Sequence, residues 1–144
     1  MQKPNILAAA ALLTLLVITF SACGKVSSSD TLKDAQANIF QSVTTDEVNP
    51  LIEQTQGLVI LDVRTPVEYA SGHLENAVNI DFESPDFSQK ISQLNKNAAY
   101  LVYCRSGNRS GKAVKIMQEA GFMKLYNMEG GINKWLAGGG KVVR

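Results

Sequence analysis

The run Ala99-Tyr100-Leu101-Val102-Tyr103 is continuous, apolar and rich in branched and aromatic side chains, and it breaks off at a turn carrying Cys104, Ser106 and Gly107. Such a run reads as a strand buried on both faces. Beyond the turn, Ala113, Val114, Ile116, Met117 and Ala120 recur at helical spacing, and Gly121 supplies a stop. Leu58-Val59-Ile60-Leu61-Asp62-Val63 is a second continuous apolar run. Strands with no polar face need cover on both sides, which is the condition met in parallel sheets. The expected fold is therefore α/β, a mainly parallel central sheet of about five strands with helices on both faces.

The remaining elements fit this plan. Ile39-Phe40 begins an edge element. Thr44-Thr45-Asp46-Glu47 has the pattern of a capping box, with Val48, Leu51 and Ile52 expected to face inward. Pro50 sits awkwardly in a helix that starts at Thr45, so a start with Asn49 as cap and Pro50 in the first turn is the alternative. Ala77 to Ile80 reads as a short strand, Phe87 to Leu94 as a helix, Lys124 to Tyr126 as the last strand and Gly131 to Leu136 as the last helix. Residues 39–144 suffice for one domain with one core, and no internal repeat is visible.

The chemistry concentrates at Cys104-Arg105-Ser106-Gly107-Asn108-Arg109-Ser110. This order places a thiol at the carboxyl end of a buried strand, where α/β sheets bind ligands, and just before a helix N-terminus with its unpaired N–H donors. Gly107 can take positive φ, so that successive N–H groups converge on one point. A free cysteine has a pKa near ~8.5 and is only about 3% thiolate at pH 7. Helix N-termini and neighbouring cations lower that value, and Arg105 and Arg109 are expected to add to the effect. The plain alternative for a single buried cysteine is packing beside a surface turn.

This loop resembles the active-site loop of rhodanese-type sulfurtransferases, and two further segments resemble the same family. Leu61-Asp62-Val63-Arg64 with Glu68-Tyr69, Gly72-His73-Leu74, Ala77, Asn79 and Ile80 is similar to the segment following its early central strand. Glu129-Gly130-Gly131-Ile132 with Trp135 is similar to its C-terminal segment. The resemblance implies a rhodanese-like single domain in which Cys104 attacks a sulfane sulfur, from thiosulfate or a related anionic donor, and carries it as a persulfide to a thiophilic acceptor. Cyanide would serve in vitro and thiols in the cell. Residues 105–110 would form the loop that holds the anion, Arg105 would orient the donor, and Arg109 would close the loop. The resemblance implies no metal or organic cofactor.

The related Cdc25-type phosphatases and arsenate reductases carry five residues between cysteine and arginine; here Arg105, Ser106, Gly107 and Asn108 make four. The shorter ring favours a terminal sulfur over a tetrahedral phosphate. A non-catalytic sulfur carrier or partner-binding module is the alternative from another class, with no protein partner identifiable. Asp62 is read as supporting the loop or capping its strand, and Arg64 as pairing with a carboxylate such as Glu68. His73, the only histidine, resembles a structural turn of the family rather than a partner for Cys104, and no zinc-ligand cluster is available. Trp135 reads as core, as do Tyr103 and Phe82, with pocket lining the alternative for the latter two.

The N-terminal segment points to export. Lys3 precedes an apolar run from Ile6 to Phe20, short for a membrane span and typical of a signal peptide. Phe20-Ser21-Ala22-Cys23 resembles the lipobox of bacterial lipoproteins, although Phe20 stands where Leu is usual. Residues 1–22 are expected to be removed and Cys23 to be lipidated, with plain cleavage or an uncleaved anchor as alternatives. Residues 23–38, with Ser27-Ser28-Ser29, read as a flexible tether. Cleavage there leaves 122 residues with 13 basic and 13 acidic side chains. Such a chain carries no basic stripe for nucleic acid, and its membrane contact would come from acyl chains. With Cys23 lipidated, Cys104 has no partner for an intramolecular disulfide. An unpaired thiol outside the cytoplasm calls for a reason such as catalysis.

Overall fold

Every strand pairing in the sheet is parallel, and the two longest apolar runs lie side by side at its centre. The computed structural model describes residues 38–144; the expected signal segment, Cys23 and most of the tether lie outside the described residues. The elements follow in the order β1 (Ile39–Val43), α1 (Thr45–Gln54), β2 (Val59–Asp62), α2 (Pro66–Ser71), β3 (Val78–Asn79), α3 (Phe87–Ser92), β4 (Ala99–Tyr103), α4 (Asn108–Glu119), β5 (Lys124–Met128) and α5 (Gly131–Ala137). The five strands are ordered β1-β5-β4-β2-β3. Helices cover both faces. Phe87 and Ile91 of α3 join Ala113 and Met117 of α4 against Leu61, Tyr100 and Val102. On the other face, Val48 of α1 and Ile132 and Trp135 of α5 pack with Ile60, Leu101 and Tyr103.

Register decides what meets at the carboxyl edge. Asp62 is paired with Tyr103, so the segment leaving β2 and the loop leaving β4 emerge next to each other. Residues 62–64 and Cys104 thus become neighbours despite lying about forty positions apart in sequence.

Several expected boundaries shift. The first helix starts at Thr45 and carries Pro50 in its interior, which overrules the start at Asn49. The Glu47 carboxylate accepts from the Thr44 N–H at 2.7 Å and from the Thr44 hydroxyl at 2.8 Å, and this cap fixes the start one turn before the proline. Pro50 forgoes one backbone bond there. Val48 is buried as expected, but Ile52 is 37% exposed. The strand expected over Ala77–Ile80 shortens to Val78–Asn79, and the helix expected to Leu94 ends at Ser92, with Leu94 held by a turn bond to Ile91. The last strand extends to Met128. Helix α2, which the apolar periodicity did not announce, is specified by its start: Thr65 accepts from the Glu68 N–H, and Pro66 occupies the first turn.

The N-terminus of α5 is pressed onto the cysteine loop. The N–H of Ile132 donates to the carbonyl of Cys104 at 2.9 Å, and the N–H of Asn133 to that of Arg105 at 3.1 Å. Gly131 makes this approach possible: its φ is +57°, and a Cβ there would lie 2.3 Å from the Cys104 carbonyl oxygen. Gly131→Ala is therefore expected to cost well over about 1 kcal/mol, because strain at positive φ adds to a backbone clash. Its denaturation midpoint checks this, and an unchanged midpoint would show that α5 moves aside freely.

Candidate functional site

The sulfur of Cys104 sits at the floor of a ring made by its own loop. Cys104 is 1% exposed. The N–H of Gly107 donates to Sγ at 3.2 Å, and the Ser110 hydroxyl lies 3.5 Å from Sγ and 3.2 Å from the Gly107 carbonyl. Gly107 adopts φ +93° and caps α4 in the left-handed region, which turns its N–H inward. Burial alone raises the thiol pKa. The Ser110 hydroxyl and the N–H groups of Ser110, Ser106 and Gly107 act against it and leave the pKa below the ordinary value. The ring thus favours a sulfur anion, as the position before a helix N-terminus predicts.

The loop residues divide by role. Ser110 is fully buried and touches the sulfur, whereas the side chains of Ser106 and Asn108 are exposed, and neither makes a hydrogen bond among the described residues. Asn108, Arg109 and Ser110 form the first turn of α4 rather than loop. His73 serves structure: its backbone pairs with Val143, its Nδ1 lies 3.0 Å from the Tyr69 carbonyl oxygen and its ring stacks on Tyr69. Tyr103 is buried and its hydroxyl accepts from the Leu74 N–H at 3.1 Å; Phe82 packs edge-on to Phe87. Trp135 is core, with its indole N–H donating to the Lys141 carbonyl. Among the described residues, no group of three or more His, Cys, Asp or Glu is placed to hold a metal ion.

The arginine pairings differ from expectation. Arg64 pairs with Asp62 and not with Glu68: its Nε donates to both Asp62 oxygens at 3.0 Å and its Nη2 to Oδ2 at 2.6 Å. Asp62 also accepts from the Arg64 N–H, so it organises the segment after β2 and makes no hydrogen bond to the cysteine loop. The amide of Asn79 ties down the same segment by donating to the carbonyls of Asp62 and Arg64. Glu68 instead receives Arg109, whose Nη1 and Nη2 donate to it at 2.8 and 2.7 Å, with Glu83 a further partner at 3.1 Å. Arg109 therefore latches α4 to α2, and its charge is met by carboxylates rather than left free for the sulfur. The Arg105 side chain is exposed and makes no hydrogen bond or ion pair among the described residues, so it is the uncompensated cation of the loop.

Only the position of Glu68 after Thr65 hinted at this latch, because a capping carboxylate lies near its own helix start. Arg109 holds the Glu68 carboxyl at about 2, against the opposing effect of burial. A carboxylate with a depressed folded pKa stabilises the fold above its unfolded pKa of about 4.3 and loses that contribution as pH falls toward 2. Glu68→Gln is expected to lower the denaturation midpoint at pH 7 and to converge with the parent protein only as pH falls through about 2. A deficit that persists unchanged in acid would show that the latch is not ionic.

Comparison with known proteins places this geometry in a lineage. The family described as rhodanese-like domain matches residues 44–138. The chain is 36% identical over 95 residues to the putative sulfurtransferase YtwF of Bacillus subtilis, spanning 66% of this chain and 89% of that protein. It is 35% identical over 83 residues to the thiosulfate sulfurtransferase GlpE of Pseudomonas entomophila, spanning 57% and 73%. Longer proteins match as well: the chain is 41% identical over 81 residues to a tRNA uridine(34) hydroxylase of Cytophaga hutchinsonii, covering 54% of this chain and only 26% of that one. Among solved structures, a rhodanese-related protein from Thermoplasma volcanium superposes with a TM-score of 0.64 at 31% identity, covering 72% of this chain and 98% of that one. The five-stranded parallel sheet, the loop closing on a single thiol and these likenesses agree: this chain belongs to the rhodanese-like domain family.

Proposed function

We propose that this protein is an exported, lipid-anchored sulfurtransferase that moves a sulfane sulfur through a persulfide on Cys104. The observation that carries the reading is the ring around Sγ, where the Gly107 N–H and the Ser110 hydroxyl favour an anion in a site with almost no exposure. The Cys104 thiolate attacks the outer sulfur of thiosulfate. The S–S bond of the donor breaks, sulfite leaves with the electron pair, and the persulfide Cys104–S–S⁻ remains. A nucleophile then attacks the terminal sulfur and the thiolate returns; with cyanide the product is thiocyanate. The loop N–H groups stabilise the anion in both states. Arg105, the cation without a carboxylate partner, attracts and orients an anionic donor. The four-residue spacing between Cys104 and Arg109 and the name of the Pseudomonas relative support thiosulfate over a phosphate ester.

Intact mass of the purified, reduced chain before and after thiosulfate tests the cycle. A gain of one sulfur on the parent protein, absent from Cys104→Ser and reversed by cyanide with thiocyanate appearing, is the expected result. No adduct with thiosulfate or polysulfide would overturn it, and loading without turnover to any acceptor would favour a carrier role. Ser110→Ala removes one donor to the thiolate, so the pH at which loading becomes half-maximal should move upward; an unmoved profile would reduce Ser110 to packing.

The anchor rests on Ser21-Ala22-Cys23 following the apolar run. Acyl chains at Cys23 would hold the domain at a bacterial membrane through residues 24–38 as tether. Labelled palmitate should enter the chain and be lost in Cys23→Ala. Absence of label, in cells where a known lipoprotein is labelled, would remove the anchor.

A further inference from the structure

Two carboxylates meet the Arg109 guanidinium, although one would balance it. Nη1 and Nη2 donate to Glu68 at 2.8 and 2.7 Å, which joins α4 to α2 and sets one charge against one. Nη1 also donates to Glu83 at 3.1 Å, a residue of the loop between β3 and α3. The Glu83 side chain is 60% exposed, against 29% for Glu68. An ion pair that open contributes little to stability. The loop is nevertheless built to hold it. The Phe82 N–H donates to the Val63 carbonyl at 3.2 Å, and the Phe82 ring packs edge-on against Phe87. The Glu83 N–H donates to Asp81 Oδ1 at 2.9 Å, and the Ser84 hydroxyl to Asp86 Oδ1 at 2.6 Å. The chain is thus pinned on both sides of Glu83, with its carboxylate presented to α4.

What the second carboxylate changes is the charge beside the sulfur. Arg109 is the fifth residue after Cys104. Its hydrogen bonds to Glu68 raise its pKa against the effect of burial, and the charges of Glu83 and of the Cys104 sulfur add to the rise. One guanidinium therefore lies within electrostatic reach of all three anions. With Glu68 alone the cluster would be neutral, and Glu83 leaves it with one net negative charge. Arg64 does not offset this, because Asp62 neutralises it. Arg105 draws anions to the cysteine loop, and Glu83 opposes it. A doubly charged donor feels that opposition more than a singly charged one, because Coulomb energy scales with the charge of the ligand.

We infer that Glu83 is a specificity-determining residue for the sulfur donor: as the second carboxylate on Arg109, it disfavours dianionic donors such as thiosulfate relative to singly charged donors of similar shape. This rests on the sulfurtransferase reading and deepens it. Methanethiosulfonate, in which a methyl group replaces one oxygen of thiosulfate, is the matched monoanion. With either donor the Cys104 thiolate attacks the outer sulfur and the S–S bond of the donor breaks. The electron pair leaves on sulfite or on methanesulfinate, and Cys104–S–S⁻ remains. Atoms and charge balance without an oxidant. Any influence of Glu83 on the thiolate itself is common to both donors and cancels in the ratio of their rates.

The test is the rate of persulfide loading by the two donors at low ionic strength. The full chain and its Glu83→Gln and Glu83→Lys variants are mixed with each donor, quenched with acid at intervals and read by intact mass. Cys104→Ser subtracts any sulfur taken up elsewhere. In water, a unit charge at a separation on the order of 10 Å alters the association of a monoanion about twofold and of a dianion about fourfold. Glu83→Gln is therefore expected to raise the loading rate of thiosulfate about twofold relative to that of methanethiosulfonate, and Glu83→Lys about fourfold. Both ratios should return to the parent value in 1 M salt, where charges act over only about 3 Å. Glu53→Gln removes an exposed carboxylate from α1, on the other face of the sheet, and should leave the ratio unchanged. An unchanged ratio in the Glu83 variants, a change that survives 1 M salt, or an equal change in Glu53→Gln would overturn the role of Glu83 while leaving sulfur transfer intact. Failure of both donors to load the parent chain would refute sulfur transfer itself, and the donor role with it.

Discussion

The cysteine loop owes its shape to two hydrogen bonds made on its outer side. A tight loop cannot aim all its N–H groups inward unless its carbonyl oxygens find donors elsewhere, because buried backbone acceptors need partners. The carbonyls of Cys104 and Arg105 find them in the first N–H groups of α5, which are themselves unpaired within that helix. Each side thereby satisfies the other. The backbone approach this demands leaves no room for a side chain at Gly131, and a Cβ at Gly107 would lie a milder 3.2 Å from the backbone nitrogen of Gly130. Two glycine segments far apart in sequence are thus one feature in space.

Charge is partitioned among three arginines with little redundancy. Arg64 is consumed by Asp62 and organises the end of β2, Arg109 is consumed by Glu68 and Glu83 and ties α4 to α2, and Arg105, at the surface, has no ion pair among the described residues. Burial explains the order: a guanidinium with almost no exposure needs a carboxylate beside it, whereas an exposed one can rely on water. The consequence for chemistry is that a sulfur anion at Cys104 would be held mainly by aligned N–H groups and a hydroxyl. Those donors are fixed in place before any ligand arrives, which a flexible side chain is not.

Much of this was legible in the chain, and the reasons are specific. The runs at residues 58–61 and 99–103 carry no charged residue and are dominated by aliphatic and aromatic side chains, a pattern that a parallel central strand needs and few other elements tolerate. Cys104 was legible because strand, glycine turn and helix follow each other within a few residues. Pairings were not. Arg64 has Glu68 four positions away and Asp62 two, and only the bend after β2 makes the nearer one its partner. Glu83 and Arg109 are separated by 26 positions, and no local pattern encodes that meeting. Pro50 misleads for a related reason, since the capping bonds at Thr44 outweigh a local preference for a later start. Helix α2 is too short for periodicity and is set by its cap alone.

A thiol recessed to this degree also determines which sulfur species can meet it. A disulfide between two copies would require the Cα atoms of two Cys104 residues to come within about 7 Å, with both sulfurs in contact. Loop backbone and the start of α4 surround this sulfur on its own chain, so two folded copies cannot bring their thiols together. Cross-linking is thereby prevented by shape rather than by a reducing environment. Only a slender group can pass the ring to reach Sγ, and the same enclosure keeps the thiol of a second folded copy away.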